Sequence, residues 1–254
     1  DGERRLGAGR AADPAGRRIY GGDGVALRPG AAALRRGAVR RAARFARMPL
    51  VSVVVPLYNT PPKFLREMMR SVLGQTYAGL ELVLTDASDA AHGEVEKAVR
   101  AVRDARVRYI RLAKNGGIAE NTNAALAAAQ GEYIALLDHD DVLTPNALYE
   151  AVKAVNEQGA DFVYSDEIVL DSTLKKLGEY HFKPDFSPDT LRGCNYITHL
   201  AVFSRALLAA AGGGERAEFD GAQDFDLILR LTERAQKVAH VPKVLYWWRG
   251  HGGS

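Results

Sequence analysis

Short apolar runs alternate with amphipathic stretches from Leu50 to Ser165, and this alternation limits the fold more than any other feature. Val51–Val55 is a β-branched run that suits a buried parallel strand. Pro61 and Pro62 then open a helix to about Gly74, with Phe64, Leu65, Met68, Met69 and Val72 as its core face. Leu80–Thr85 predicts a second strand, Glu94–Arg103 a helix, and Val107–Leu112 a third strand. Ile118–Ala129 reads as an alanine-rich helix ended by Gly131, and Glu132–Leu137 as a fourth strand. Thr144 is expected to cap a helix through Asn156, with Pro145 in its first turn, before a fifth strand at Phe162–Ser165. Such alternation implies the α/β class, with a parallel sheet covered by helices on both faces. A chain of 254 residues holds one such domain, or one plus an appendage.

Charge separates the appendage from the body. Residues 1–47 carry twelve arginines, no lysine and four acids, a balance of +8 within a total of +3. The body is therefore acidic, and nothing in its charge points to nucleic-acid binding. The first 32 residues are rich in Gly, Ala, Pro and Arg and bury too little to order themselves alone. Beyond them, Leu34, Ala38, Ala42 and Phe45 fall on one side of a helical wheel, and Arg36, Arg40, Arg44 and Arg47 on the other. Such a helix could touch an anionic membrane surface. Arg35 and Arg41 interrupt its apolar side and Gly37 weakens it, which favours a solvated linker helix instead. The Asp-Gly-Glu start, with no leading methionine or signal-like segment, suggests an excerpt of a longer protein.

Several chemistries are excluded. A lone cysteine, Cys194, allows neither an internal disulfide framework nor a zinc site with several thiolates. No run of about eighteen apolar residues is present, so no helix can span a bilayer. Ligands of open α/β sheets bind at the carboxyl ends of the strands. After the first strand stands Pro56-Leu57-Tyr58-Asn59-Thr60-Pro61-Pro62, with neither GxGxxG nor GxxxxGK. No glycine turn there grips a phosphate. After the second strand come Asp86, Ser88 and Asp89, which can serve a base or a ribose, or merely close a turn.

The strongest signal follows the fourth strand, at Asp138-His139-Asp140-Asp141. If the extended form continues, Asp138 and Asp140 project to the same side. Clustered carboxylates repel and call for a cation. Mg²⁺ or Mn²⁺, with positions kept open for substrate phosphates, answers that need better than a solvated turn does. Further on, Gly221–Leu231 begins an amphipathic helix with Phe225, Ile228, Leu229 and Leu231 toward the core. Asp224 at its start is either electrostatically favoured there or a presented general base. Trp247 and Trp248 stand beside Arg249 and His251, where aromatic faces can stack on sugars or simply fill core.

Together these motifs resemble the glycosyltransferase family 2 enzymes of the GT-A fold, over residues 49–254. The resemblance rests on Val51–Asn59, Asp86, Asn115-Gly116-Gly117 with Asn123, Asp138–Asp141 and Gln223-Asp224. Tyr164–Glu167, Lys183–Asp189 and Asn195–Leu200 look like the bacterial branch that builds O-antigens, rhamnans and other surface polysaccharides. It implies a Rossmann-like, mostly parallel sheet with helices on both faces, preceded by the basic N-terminal arm. It also implies a role for each matching position. Pro56, Tyr58 and Asp86 lie against the nucleotide base, and Asn115 and Asn123 line the donor side. Asp138 sits near the ribose, Asp140 and His251 hold Mn²⁺ or Mg²⁺, and Asp224 is the catalytic base. Asp166 and Glu167 face the donor sugar or the acceptor; apart from the resemblance, Trp247 and Trp248 can form a wall that keeps water out and stack on the acceptor, or pack as ordinary core. Two positions depart from the family pattern: Gln223 replaces a common Glu, and Asn121 a common Ala.

The function expected is inverting, metal-dependent transfer from a UDP-, dTDP- or GDP-sugar to a hydroxyl of a growing surface glycan or lipid-linked acceptor. Its expected place is the cytoplasm, at the inner membrane face if the arm makes peripheral contact. A non-catalytic nucleotide-sugar-binding or scaffold domain of a polysaccharide synthase is the alternative. A nucleotidyltransferase is disfavoured, because Tyr58–Pro62 is not a basic, glycine-rich triphosphate loop.

Overall fold

The computed structural model describes residues 45–250. Most of the basic arm, its amphipathic helix and any membrane contact, together with the metal role expected of His251, lie outside the described residues. The end of the arm rests on the body. Phe45 stacks on Tyr149 with ring centroids 5.2 Å apart, and Asn156 brackets the Arg47 backbone with hydrogen bonds of 2.9 and 3.1 Å.

Among the described residues nine strands form one sheet. They are β1 (Val51–Leu57), β2 (Leu80–Asp86), β3 (Val107–Arg111), β4 (Tyr133–Leu136), β5 (Val142–Leu143), β6 (Phe162–Leu170), β7 (Leu177–His181), β8 (Ala201–Ser204) and β9 (Val238–Arg249). Their order is β3-β2-β1-β4-β8-β6-β9-β5, with β7 paired to β6. The first four are parallel, and β8 enters antiparallel between β4 and β6.

The helices are α1 (Pro62–Leu73), α2 (Glu94–Arg100), α3 (Ile118–Ala128), α4 (Ala147–Gln158), α5 (Pro188–Gly193), α6 (Arg205–Ala210) and α7 (Gln223–Arg234). Alternation in β1 divides them between two cores. Val51, Val53, Val55 and Leu57 face α1, α2 and α4, while Val54 faces the core shared with α3, α6 and α7. Both faces are covered, which is why β1 and β2 read as nearly unbroken apolar runs.

Three local expectations are corrected. Thr144 does not cap α4. Its N–H bonds Leu245 O in the sheet, and the helix begins at Ala147 behind Asn146, without a side-chain cap. Strand β6 does not stop at Ser165 but runs on to Leu170, because Asp166 and Glu167 find buried partners. Beside them β9 bulges: Ser165 pairs with Val241 and Asp166 with Val244, so Pro242, which has no N–H to give, falls in the irregularity. In α7, Leu227 is buried as well as Ile228 and Leu231, whereas Phe225 and Leu229 are only partly covered.

Candidate active site

The site opens where β1 and β4 part. Val54 is the last β1 residue paired with β4, and Leu137 N–H closes that ladder on Val54 O. Pro56 comes next on the same side of β1. It has no N–H, so it is tolerated where pairing has ended. The strand order 3-2-1-4 reverses direction between β1 and β4, the place where α/β sheets bind ligands. A cleft of about 120 Å³ lies there, lined among others by Pro56, Thr122, Asp138, His199, Glu215 and Asp224.

The chain does not stay extended after β4. A turn closed by Asp141 N–H on Asp138 O carries the acids around a corner. Asp141 is the anchor of that turn. Buried, it accepts Tyr246 Oη–H at 2.6 Å and Arg249 N–H at 2.7 Å, both from β9. Arg249, fully buried, donates through Nε to Asp140 O at 2.6 Å and through its other nitrogens to Ser172 O and Glu67. Burial, then the charges of Asp138 and Asp140, push the Asp141 carboxyl up to about 7. That rise comes first from burial and only then from the negative charge of its two neighbours on the loop.

Among the described residues no group of three or more His, Cys, Asp or Glu side chains is arranged to hold a metal ion. Asp138 and Asp140 nevertheless supply hard oxygen donors, the ligand type that Mn²⁺ or Mg²⁺ would take. The donor set therefore fits Mn²⁺ or Mg²⁺.

Behind the loop lies a network that the sequence reading passed over. His199 bridges two acids, with Nε2 3.3 Å from Asp138 Oδ2 and Nδ1 3.2 Å from Glu167 Oε2. Its ring stacks on Tyr246 at 4.5 Å and meets Trp248 edge-on at 5.3 Å. Burial alone would lower its pKa, but hydrogen bonds to Asp138 and Glu167 raise it to about 10. His199 is thus a cation in the cleft at neutral pH. Burial pushes Glu167 up, yet the His199 hydrogen bond and the Lys183 charge outweigh it and hold its carboxyl at about 2. Lys183 Nζ lies 3.3 Å from Glu167 and donates to Ile197 O and His199 O. The segment Asn195–Leu200 was legible as a motif, but nothing local told its histidine apart from a core one.

Asp224 stands in the first turn of α7, where the helix dipole favours a carboxylate. Asn195 Nδ2 donates to its Oδ2 at 3.1 Å, and both Asp224 and Gln223 line the cleft. The other candidates have neighbours within the fold. The buried Asp86 accepts Ser88 N–H, Tyr109 Oη–H and Arg111 Nη1 at 2.6 to 2.8 Å. Tyr58 is exposed, 3.4 Å from Asp89. Asn115 accepts from Gly117 N–H and from Asn121, which in turn accepts Gly116 N–H. That exchange shapes the loop before α3, where Gly117 holds φ 92°. Asn123 clamps the backbone of Glu215. Asp166 accepts Lys183 N–H and pairs with His240 at 2.9 Å. Trp247 and Trp248 are half-buried on β9.

A Rossmann-like sheet with an acid turn at its switch point and helices on both faces is the GT-A architecture. The sequence model of Glycosyl transferase family 2 matches residues 52–208, and the chain belongs to that family as a glycosyltransferase domain. It is 45% identical over 213 residues to an uncharacterised protein of Sinorhizobium fredii, covering 81% of this chain and 23% of that one. It is 39% identical over 206 residues to the O-antigen biosynthesis protein RfbC of Myxococcus xanthus, covering 80% and 16%. The Pasteurella multocida hyaluronan synthase is 32% identical over 211 residues, covering 82% and 21%. The chain thus spans about a sixth to a quarter of the length of these relatives. Among solved structures, S. aureus TarS in complex with UDP-GlcNAc superposes with TM-score 0.65 at 23% identity, covering 80% of this chain and 59% of that one. The Pyrobaculum calidifontis mannosyltransferase PcManGT with GDP-Man and Mn²⁺ gives TM-score 0.60 at 21%, covering 85% and 66%. Among the described residues no helix is long and apolar enough to cross a membrane.

Proposed function

We propose that the domain transfers a sugar with inversion from a nucleotide-sugar donor to a hydroxyl of a growing cell-surface glycan or a lipid-linked acceptor. One observation carries the reading. A helix-borne carboxylate, Asp224, and the strand-end acid Asp138 line one cleft at the switch point of the sheet. Asp224 takes the proton from the acceptor hydroxyl, and the oxygen attacks the anomeric carbon opposite the departing nucleoside diphosphate. Asn195 aims the base. His199, charged and fixed between Asp138 and Glu167, places positive charge beside the leaving diphosphate. Asp140, with Asp138 beside it, would hold Mn²⁺ or Mg²⁺, which would supply positive charge to offset that growing on the leaving group.

The family assignment supports transferase chemistry. The names of the O-antigen and hyaluronan relatives support a surface-glycan acceptor. The need for nucleotide-sugar donors supports a cytoplasmic place for the reaction.

The test is calorimetric titration with UDP, dTDP, GDP and CDP, each with Mn²⁺ and with EDTA. The expected result is binding of one nucleotide, lost in EDTA. Binding indifferent to EDTA removes the metal from the reading, and no binding at all removes the donor. Asp224→Asn separates binding from chemistry: it should keep the nucleotide and lose transfer by roughly 100-fold or more. A fully active Asp224→Asn would overturn the base assignment, and a chain that binds donor but never transfers would favour a scaffold domain.

A further inference from the structure

Glu215 sits in the segment between α6 and α7, and its backbone is held from two sides. Asn123 Nδ2 donates to its carbonyl at 2.7 Å, and Asn123 Oδ1 accepts its N–H at 2.8 Å. Arg230 binds the carbonyls of Ala211, Gly213 and Gly214 just before it. Gly214 allows the close approach, since a Cβ there would stand 1.9 Å from Asn123 Oδ1. So placed, the Glu215 side chain lines the cleft beside Asp224 while only 8% of the residue is exposed.

Its carboxyl is half-used. It is hydrogen-bonded to Thr122, yet Oε2 is buried without a partner. Most buried carboxyl oxygens have a hydrogen-bond partner, so an unmatched one calls for an explanation. Burial, then the charges of Asp224, Asp138 and Asp220, push its pKa up to about 8, so it is largely neutral at pH 7. A neutral acid offers one O–H and one C=O. A sugar hydroxyl, which both donates and accepts, matches whichever of the two points into the cleft. The proximity to Asp224 sets the position on the donor. The base takes its proton from the acceptor hydroxyl as that oxygen meets the anomeric carbon, so a group beside it faces the transferred sugar and not the nucleotide.

We propose that Glu215 is a specificity-determining residue that hydrogen-bonds a ring hydroxyl of the donor sugar through its unpartnered oxygen. This rests on the glycosyltransferase reading above. A donor lacking a polar group at that point would leave the buried oxygen unmatched and bind more weakly.

The test compares the affinity for a sugar nucleotide with that for its bare nucleotide, in Mn²⁺, for wild type, Glu215→Gln and Glu215→Leu. The probe pairs are UDP-glucose with UDP, GDP-mannose with GDP, and dTDP-glucose with dTDP; the pair used is the one that wild type binds. Glu215→Leu should bind the bare nucleotide within about twofold of wild type and the sugar nucleotide about tenfold more weakly. Glu215→Gln, which keeps a donor and an acceptor, should stay within about threefold on both. An unchanged ratio in Glu215→Leu would overturn the inference and leave the transferase reading standing. Failure of wild type to bind any nucleotide or sugar nucleotide would overturn that reading and this inference with it. Glu215→Ala gives the same ratio should the leucine variant not fold.

Discussion

His199 Nε2 lies 3.3 Å from Asp138 Oδ2, while the other nitrogen of the same ring lies 3.2 Å from Glu167 Oε2. One imidazolium therefore joins the acid turn after β4 to the middle of β6. Glu167 is 2% exposed, so the link has a protected side, whereas the Asp138 side chain is 49% exposed to the cleft. Removing His199 leaves Glu167 with Lys183 and His181 and leaves Asp138 without this partner.

His199→Asn is expected to destabilise the domain by about 2 kcal/mol at pH 6, most of it from the buried Glu167 side. The folded pKa of His199 is raised, from 6.5 to about 10. The folded state therefore holds the proton more tightly, and the stabilisation is full below 6.5 and lost as pH rises through 10. Urea melts of both proteins across that range should converge at the alkaline end. A gap that widened instead would show that the ring is neutral in the fold.

Asn195→Ala removes the donor to Asp224 Oδ2 and leaves the carboxylate in place. Transfer should slow by about tenfold, and nucleotide affinity should not move. The same loss in Kd as in rate would assign Asn195 to the donor instead of the base. Glutamine at this position is too long to restore the 3.1 Å contact and should not rescue the rate.

Arg249→Met keeps the stem over the Phe64 ring, 4.1 Å from the guanidinium carbon, but withdraws the donors to Asp140 O, Ser172 O and Glu67. A cost of about 3 kcal/mol is expected, and at this size roughly 6–12 °C in Tm. Glu67, which is only partly covered, should matter less, so Glu67→Gln is expected to cost about 1 kcal/mol. Thermal melts of the two variants rank them directly.

Glu215 should oppose stability above neutral pH. Its folded pKa is raised from 4.5 to about 8, so its contribution is intact below 4.5 and declines as pH climbs through 8. Glu215→Leu should therefore match wild type near pH 5 and exceed it at pH 9, in melts followed at both values. Wild type proving the more stable at pH 9 would mean that the carboxylate has a cationic partner.

Legibility followed the range of the forces involved. The β-branched run at Val51–Val55 and the helix behind Pro61 and Pro62 depend on neighbours in sequence, and both stand where their patterns put them. The helix at Ile118–Ala128 does too. Thr144 misled because its backbone joins the sheet at Leu245, a hundred residues distant, and its hydroxyl donates to Asn146 Oδ1, so the helix starts only after Asn146. Ser165 was not the end of β6, because the acids after it are satisfied by Lys183, His199 and His240 from three other segments. The acid turn at Asp138–Asp141 was visible as a cluster, but the division of labour within it was not. Asp141 became the buried anchor, and Asp138 the side chain that faces the cleft.

Sequence alone determined the α/β class, the apolar strands, the acid turn and the family, because each is written in residue type and short spacing. Only the tertiary structure decided which polar groups are charged, neutral or spent. Asp86 accepts three donors, His199 is held as a cation between two acids, and Glu215 is buried with one oxygen unmatched. Burial and partners brought from distant segments set the cost of charge at each of these sites, and neither is encoded at the residue itself.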